Sequence, residues 1–340
     1  MGERATLSNR GMWIAGLAAG VAALSLVSLL TGAFPLAPGD GIAALIRAIV
    51  PGAEAQGQAD IVMQQIRLPR VGAGLLTGAA LAAAGAVYQG LFRNPLVSPD
   101  ILGVSTGAGL GAALGIFLSL PIIAIQGLAF AGGLATVAMV YLVARSVRGH
   151  EPVLVLVLAG VVLGALAGAC LSLLKILADP YDQLPAITFW LLGSLASVRT
   201  GDVFAAAPAV ALGMVPLVLL RWRMNLMTLG DEEAASLGID PGRLRPLFVA
   251  AATLMTAAVV SIAGVVGWVG LVIPHIARLA VGPNFSTMLP AAMLMGAGYM
   301  VFIDMLARTI SATETPLGVL TAFVGAPVFI WLLASGRRGW

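Results

Sequence analysis

The side chains that could do chemistry in this sequence are few, and their spacing argues for support and binding over catalysis. His275, in IPHIARL, is the histidine that falls inside an apolar run. It has no second histidine, cysteine or paired carboxylate at ligand spacing, so no metal site is expected. The imidazole is read as hydrogen-bonded within a helix bundle or capping a broken helix. Asp304, in FIDMLARTI, lies four residues before Arg308. A carboxylate in an apolar segment is a functional candidate by default, but the i, i+4 arginine favours a structural ion pair of Asp304 with Arg308 over a proton relay. No GxxxxGK[ST] phosphate loop occurs, and Lys175, the single lysine, follows none. Hydrolysis of nucleotide by this chain is therefore not expected, and no catalytic residue or bound cofactor is assigned to it. The single cysteine, Cys170, excludes an internal disulfide framework.

The longest hydrophilic insertion, residues 221–245, reads RWRMNLMTLGDEEAASLGIDPGRLR. Asp231, Glu232 and Glu233 are followed by a short apolar stretch and Gly238. Acids in a first turn and glycine after the last describe a short helix marked at both ends. Such a helix is either a solvated loop or a plug for a partner's groove.

The elements that must position these groups are membrane helices. Hydrophobic residues make up 60% of the 340 and charged ones 10%, with a mean hydropathy of +1.02. That composition specifies an all-α integral membrane protein. The stretch that organises the rest is residues 67–109, RLPRVGAGLLTGAALAAAGAVYQGLFRNPLVSPDILGVSTGAG. About twenty apolar and small residues, enough to cross ~30 Å of hydrocarbon, run from Val71 to a polar turn at 93–100. Its glycines and alanines suit close helix contact in lipid, where packing drives association.

Ten spans are expected, near residues 11–31, 71–91, 101–118, 122–143, 152–174, 203–220, 246–266, 268–281, 288–306 and 317–333. The first is read as retained, being too long for an excised signal peptide. A loop over 32–66 is expected to hold a short amphipathic helix at 41–50, and a further short helix at 187–195 to lie outside the membrane or re-enter it. An even span number puts both termini on one side; twelve basic residues fall on that side and six on the other, which makes it the cytoplasm. The basic residues are read as topology signals, not as a nucleic-acid surface. A loose match of GAVYQGLFRNPLVSPDILG with GVVGWVGLVIPHIARLAVGPN suggests two inverted five-helix halves, about 11–176 and 184–335, within one transmembrane domain.

RLPR at 67–70, QGLFRNPLVSPDILGVSTGAG, ADPYDQLPAITFWLLGSL, LGDEEAASLGID, GWVGLVIPHIARLAVGPN and DMLARTISATETPLGVLTAFVGAPVFIWLL occur in that order. Together they resemble the permease subunits of the vitamin B12, iron-siderophore and haem importer family of ATP-binding-cassette transporters. The resemblance covers most of the chain from Arg67 to Leu333, and the first span and the loop after it carry little of it.

The resemblance implies a homodimer in a bacterial inner membrane, surrounded by lipid, with a path on the dimer axis lined by the fifth and tenth spans. It implies two cytoplasmic ATPase subunits that carry ATP-Mg, and a periplasmic substrate-binding protein. Coupling to the ATPase would fall on Leu229, Gly230, Asp231, Glu232, Glu233, Ala234, Ala235, Leu237 and Gly238. Arg67, Arg70 and Arg308 would receive carboxylates of the binding protein, as exposed guanidiniums suited to bidentate contacts. The inner-gate loop would fall on Gly149, His150 and Glu151, where relatives have small hydroxyl residues, so the gate's chemistry departs from theirs. The implied cargo is an iron chelate (siderophore or haem), with cobalamin or molybdate and tungstate as alternatives. A secondary transporter, the rival class, would place carboxylates inside several spans, and only Asp304 is found.

Overall fold

Every regular element among the described residues is a helix, as the hydropathy requires: a backbone in lipid must satisfy its own hydrogen bonds. The computed structural model describes residues 2–32, 34–50, 57–147, 151–311 and 313–334. In chain order the α-helices are α1 (Gly2–Leu30), α2 (Pro38–Ile49), α3 (Gln58–Ile61), α4 (Leu68–Leu91), α5 (Val104–Phe117), α6 (Ile122–Ser146), α7 (Pro152–Leu177) and α8 (Gln183–Leu192). They continue with α9 (Thr200–Leu219), α10 (Arg221–Met227), α11 (Asp231–Ser236), α12 (Pro241–Ala263), α13 (Val269–Val281), α14 (Phe285–Ala307) and α15 (Leu317–Ala334). Among the described residues seven stretches are long and apolar enough to cross a membrane, and α5, α8, α13 and α15 are shorter apolar helices.

α4 is the centre. Its sequence is so rich in small residues that neighbouring backbones touch it directly. A Cβ added to Gly78 would collide with the Gly296 carbonyl of α14, and one added to Gly85 with the Gly270 carbonyl of α13. Dispersion over such close contacts replaces the hydrophobic driving force that lipid removes. Polar side chains add specific ties. The Tyr88 hydroxyl lies 3.1 Å from Thr253 Oγ1 of α12, and Gln89 Nε2 donates to the Leu271 carbonyl at 2.9 Å.

α4 packs on α13 and α14, and α12 packs on α5, α6 and α9. α5 and α13 are both short, at 14 and 13 residues, roughly 20 Å each at 1.5 Å per residue. Each follows a break. A 3₁₀ turn, Pro99–Leu102, precedes α5, and the non-helical residues 264–268 precede α13. Irregular backbone at membrane depth must be enclosed by protein, and the flanking Val266 and Val269 are buried. Trp268 holds a φ of 70°, costing about 1–2 kcal/mol for a non-glycine residue. Its ring sets edge-on against Phe329 of α15 at 6.3 Å.

Several boundaries differ from those expected. The second span begins well before Val71, because α3, a π-helical turn (Val62–Arg67) and α4 run on as one apolar stretch, Gln58–Leu91. The loop expected over 32–66 therefore ends in helix. The short helix expected at 187–195 is α8, ending at Leu192 because Gly193 takes φ 73°. α10 was not expected at all. The seventh span starts at Pro241, with Pro246 inside the helix.

Candidate docking and coupling sites

α14 holds a polar cluster at each end. Its 23 residues separate the two by about 34 Å.

At the C-terminal end, Arg308 caps α14 and Asp304 lies one turn back. The expected ion pair forms, Arg308 Nε to Asp304 Oδ2 at 3.2 Å, but it is half of a larger network. Arg70, in the first turn of α4, donates from Nε to Asp304 Oδ1 at 2.6 Å. Its other two nitrogens grip both oxygens of Glu314 at 2.6 and 2.9 Å. Planar bidentate pairing of this kind is the strong form of the arginine–carboxylate bond. Glu314 sits in the connection from α14 to α15, held by Thr315 N donating to the Ala307 carbonyl at 3.1 Å. α15 itself begins with Leu317 N donating to the Gly193 carbonyl at 2.9 Å.

Arg67 and Arg308 also close off α1. Arg67 donates to the carbonyls of Leu29 at 2.7 Å and Phe34 at 2.6 Å. Arg308 donates to those of Thr31 at 3.0 Å and Ser28 at 3.1 Å. A helix C-terminus leaves carbonyls without partners, and two guanidiniums supply them here. The expectation of exposed guanidiniums is corrected: Arg67, Arg70 and Arg308 are 2%, 3% and 7% exposed. Composition placed the charges at a helix end but could not reveal acceptors drawn from three distant segments. Glu314, whose side chain is 40% exposed, is the acidic member of the network that faces out. It was missed because no local pattern pairs it with Arg70, 244 residues away. The available signal was an unassigned acid a few residues beyond Arg308.

At the N-terminal end of α14, Asn284 caps the helix. Asn225 of α10 accepts from Phe285 N at 2.7 Å and donates to Asn284 Oδ1 at 3.2 Å. α11 follows directly, its first turn holding Asp231, Glu232 and Glu233, and Gly238 takes φ 81° beyond its last residue. The expected helix is present with both marked ends. It hangs from the bundle by Ala234, fully buried, and by Asp231 Oδ1, which accepts from Arg245 Nη2 of α12 at 2.5 Å. Glu232, Glu233, Ala235, Leu237 and Gly238 are exposed, as is Leu229 just before the helix, so acids and two leucines share one open surface. Leu229 and Leu237 are 52% and 56% exposed. Gly230 is buried where a side chain would strike Glu233 and crowd Arg93.

Arg93, in the turn after α4, reaches Glu151 at 3.5 Å, so Glu151, the described residue of the segment expected to form an inner gate, is tied to a side chain beside Gly230. Gly149 and His150 fall outside the described residues; Glu151 is the N-cap of α7. His275 lies on α13 with Nδ1 buried and no hydrogen-bond partner. Cys170 is exposed on α7. Among the described residues no group of three histidines, cysteines or acids comes together as a metal site would need.

The chain is similar to known proteins along nearly all of its length. It is 44% identical over 276 residues to the cobalamin import system permease protein of Halobacterium salinarum, covering 81% of this chain and 74% of that one. It is 40% identical to the molybdate import system permease protein of Haemophilus influenzae, covering 82% of each. A solved structure, described as an inward-facing conformation of a metal-chelate type ABC transporter, superposes with a TM-score of 0.85 at 35% identity. That match covers 96% of this chain and 99% of the other. The FecCD transport family matches residues 20–335. With seven long apolar helices, the polar cluster at each end of α14 and these likenesses together, the chain is a multi-pass membrane protein that belongs to the FecCD transport family of ABC importer permeases.

Proposed function

We propose that this chain is the permease subunit of an ATP-driven importer that carries an iron chelate, a siderophore or haem, inward across a bacterial inner membrane. Cobalamin and molybdate or tungstate are the alternative cargoes within the family. In this reading ten helices (α1, α4–α7, α9 and α12–α15) span the membrane, both termini face the cytoplasm, and the arginine-rich end of α14 faces out. Twelve basic residues on the side of the termini against six on the other support that orientation.

Two copies pair so that α7 and α15 line the path. The outward apolar side chains of both helices support this, with Leu158, Val162 and Ile176 on α7 and Phe323 and Trp331 on α15 all exposed in the single chain. A loaded periplasmic binding protein docks with its carboxylates towards Arg67, Arg70 and Arg308. With Asp304 and Glu314 included, these five ionised groups retain one net positive charge.

Two ATPase subunits bind ATP-Mg and close, and each receives α11 in a groove. The observation that carries the reading is the suspension of α11: its acids and leucines are open to a partner, while Ala234 and the Asp231–Arg245 pair fix it to α12. Force on α11 passes through α12 and, by Asn225, into the foot of α14. Through Arg93 it also reaches Glu151 at the start of α7.

Co-purification tests the coupling step. Glu232→Arg together with Leu237→Asp, both exposed and without a packing role, is expected to release the ATPase subunits while the permease still elutes as a folded dimer. Undiminished co-purification would reject α11 as the contact.

A further inference from the structure

The buried arginines pose a difficulty that the docking reading must answer: Arg70 already holds two carboxylates and is 3% exposed. We infer that Glu314 is an internal stand-in for the binding protein's carboxylate, so that docking exchanges one acid for the other on Arg70 and releases the segment that positions α15. This rests on the docking reading above.

Three observations carry it. The two carboxylates on Arg70 are unequal. Asp304 is 1% exposed and shared with Arg308, whereas the Glu314 side chain is 40% exposed. An acid arriving from solution can therefore displace Glu314 and not Asp304. The exchange is also nearly balanced. One bidentate arginine–carboxylate pair is lost and an equivalent one formed, and the freed Glu314 regains water. A group left unpaired in a dry site would oppose docking strongly; Glu314 is not in one.

Glu314 also faces space into which it can move. It lines a cavity of about 550 Å³ with Gln126, Trp190, Ser194, Ser197 and Gly264. The walls belong to the end of α5, the start of α6, the broken ends of α8 and α12, and the segment leading into α15. Glu314 stands three residues before Leu317, where α15 starts on the Gly193 carbonyl. Freed from Arg70, residues 313–316 are held to the bundle by Thr315 N on the Ala307 carbonyl. The start of α15 can then shift against α8. Glu314 is thus a positioning residue: it touches no cargo and acts through the helix that follows.

The experiment uses the full complex of permease and ATPase in nanodiscs, with the cognate binding protein, purified without cargo, as probe. Glu314→Gln removes the competing charge while keeping size. The expected result is at least threefold tighter capture of the binding protein, with basal ATP hydrolysis raised severalfold in its absence and little further stimulation when it is added. Glu314→Asp should restore part of the stimulation, which a purely structural loss would not. Wild-type affinity and wild-type basal hydrolysis in folded Glu314→Gln would overturn the exchange and leave docking untouched. The docking reading fails separately, and the exchange with it, if Arg70→Gln captures the binding protein as well as wild type does.

Discussion

The polar network at the C-terminal end of α14 illustrates what single residues decide in this protein. Asp304 is 1% exposed and lies between two guanidiniums, with Arg70 at 2.6 Å and Arg308 at 3.2 Å. Buried charges add little net stability when every partner is present, but removing one partner strands the others. Asp304→Asn is therefore expected to lower stability by about 3 kcal/mol, read as a lower thermal midpoint in detergent. An unchanged midpoint would show that the arginines find acceptors elsewhere. The spacing of Asp304 and Arg308 made their pair legible in the sequence, since four residues bring two side chains together on any helix. The shares of Arg70 and Glu314 were not legible, because they depend on how distant segments meet. Nor does charge report burial. RLPR reads as a solvent-facing flourish at a helix start, yet Arg67 and Arg70 turn inward to carbonyls and carboxylates that hydropathy does not count.

At the scale of elements, the alanine and glycine richness of residues 72–86 foretold close packing without naming partners. α4 meets α14 and α13 through backbone at Gly78 and Gly85, so a side chain there has nowhere to go. Gly78→Val should cost roughly 3 kcal/mol and reduce the yield of folded protein. Gly127 of α6 is the contrast: a Cβ there meets nothing within 4 Å, and Gly127→Ala should be neutral or stabilising by up to about 1 kcal/mol. Thermal midpoints of the two variants, compared side by side, separate contact from composition; equal effects would refute the packing account. Helix ends were legible where glycine or acids mark them, as at Gly238 and Asp231, and illegible where apolar sequence runs on. The helical stretch before Arg67 was missed for a different reason: Pro69 between two arginines reads as a helix start, whereas helix runs unbroken from Gln58 through it.

Over the whole molecule, α14 joins the cluster proposed to meet an acidic partner to the helix proposed to enter a groove, and among the described residues no ion-pathway series of carboxylates lies between them. Coupling through such a rod requires that it be rigid and anchored at both ends. Asn225 anchors the foot and the Arg70–Asp304–Arg308 network the head. Asn225→Leu is expected to leave both partners bound and to weaken stimulation of ATP hydrolysis by the binding protein several-fold. Full stimulation would place the transmission elsewhere. Fold and family were legible because composition and ordered motifs extend over most of the chain. The cargo was not, because the relatives carry cobalamin and molybdate on the same framework.

The central claim is that this chain moves cargo only when driven by a separate ATPase and supplied by a separate binding protein. The direct measurement is uptake of a radiolabelled ferric chelate into sealed proteoliposomes containing the permease alone, the permease with its ATPase, and the full assembly with binding protein and internal ATP. The account predicts accumulation in the full assembly and background in the other two. Uptake by the permease alone, with a proton gradient and no nucleotide, would contradict it.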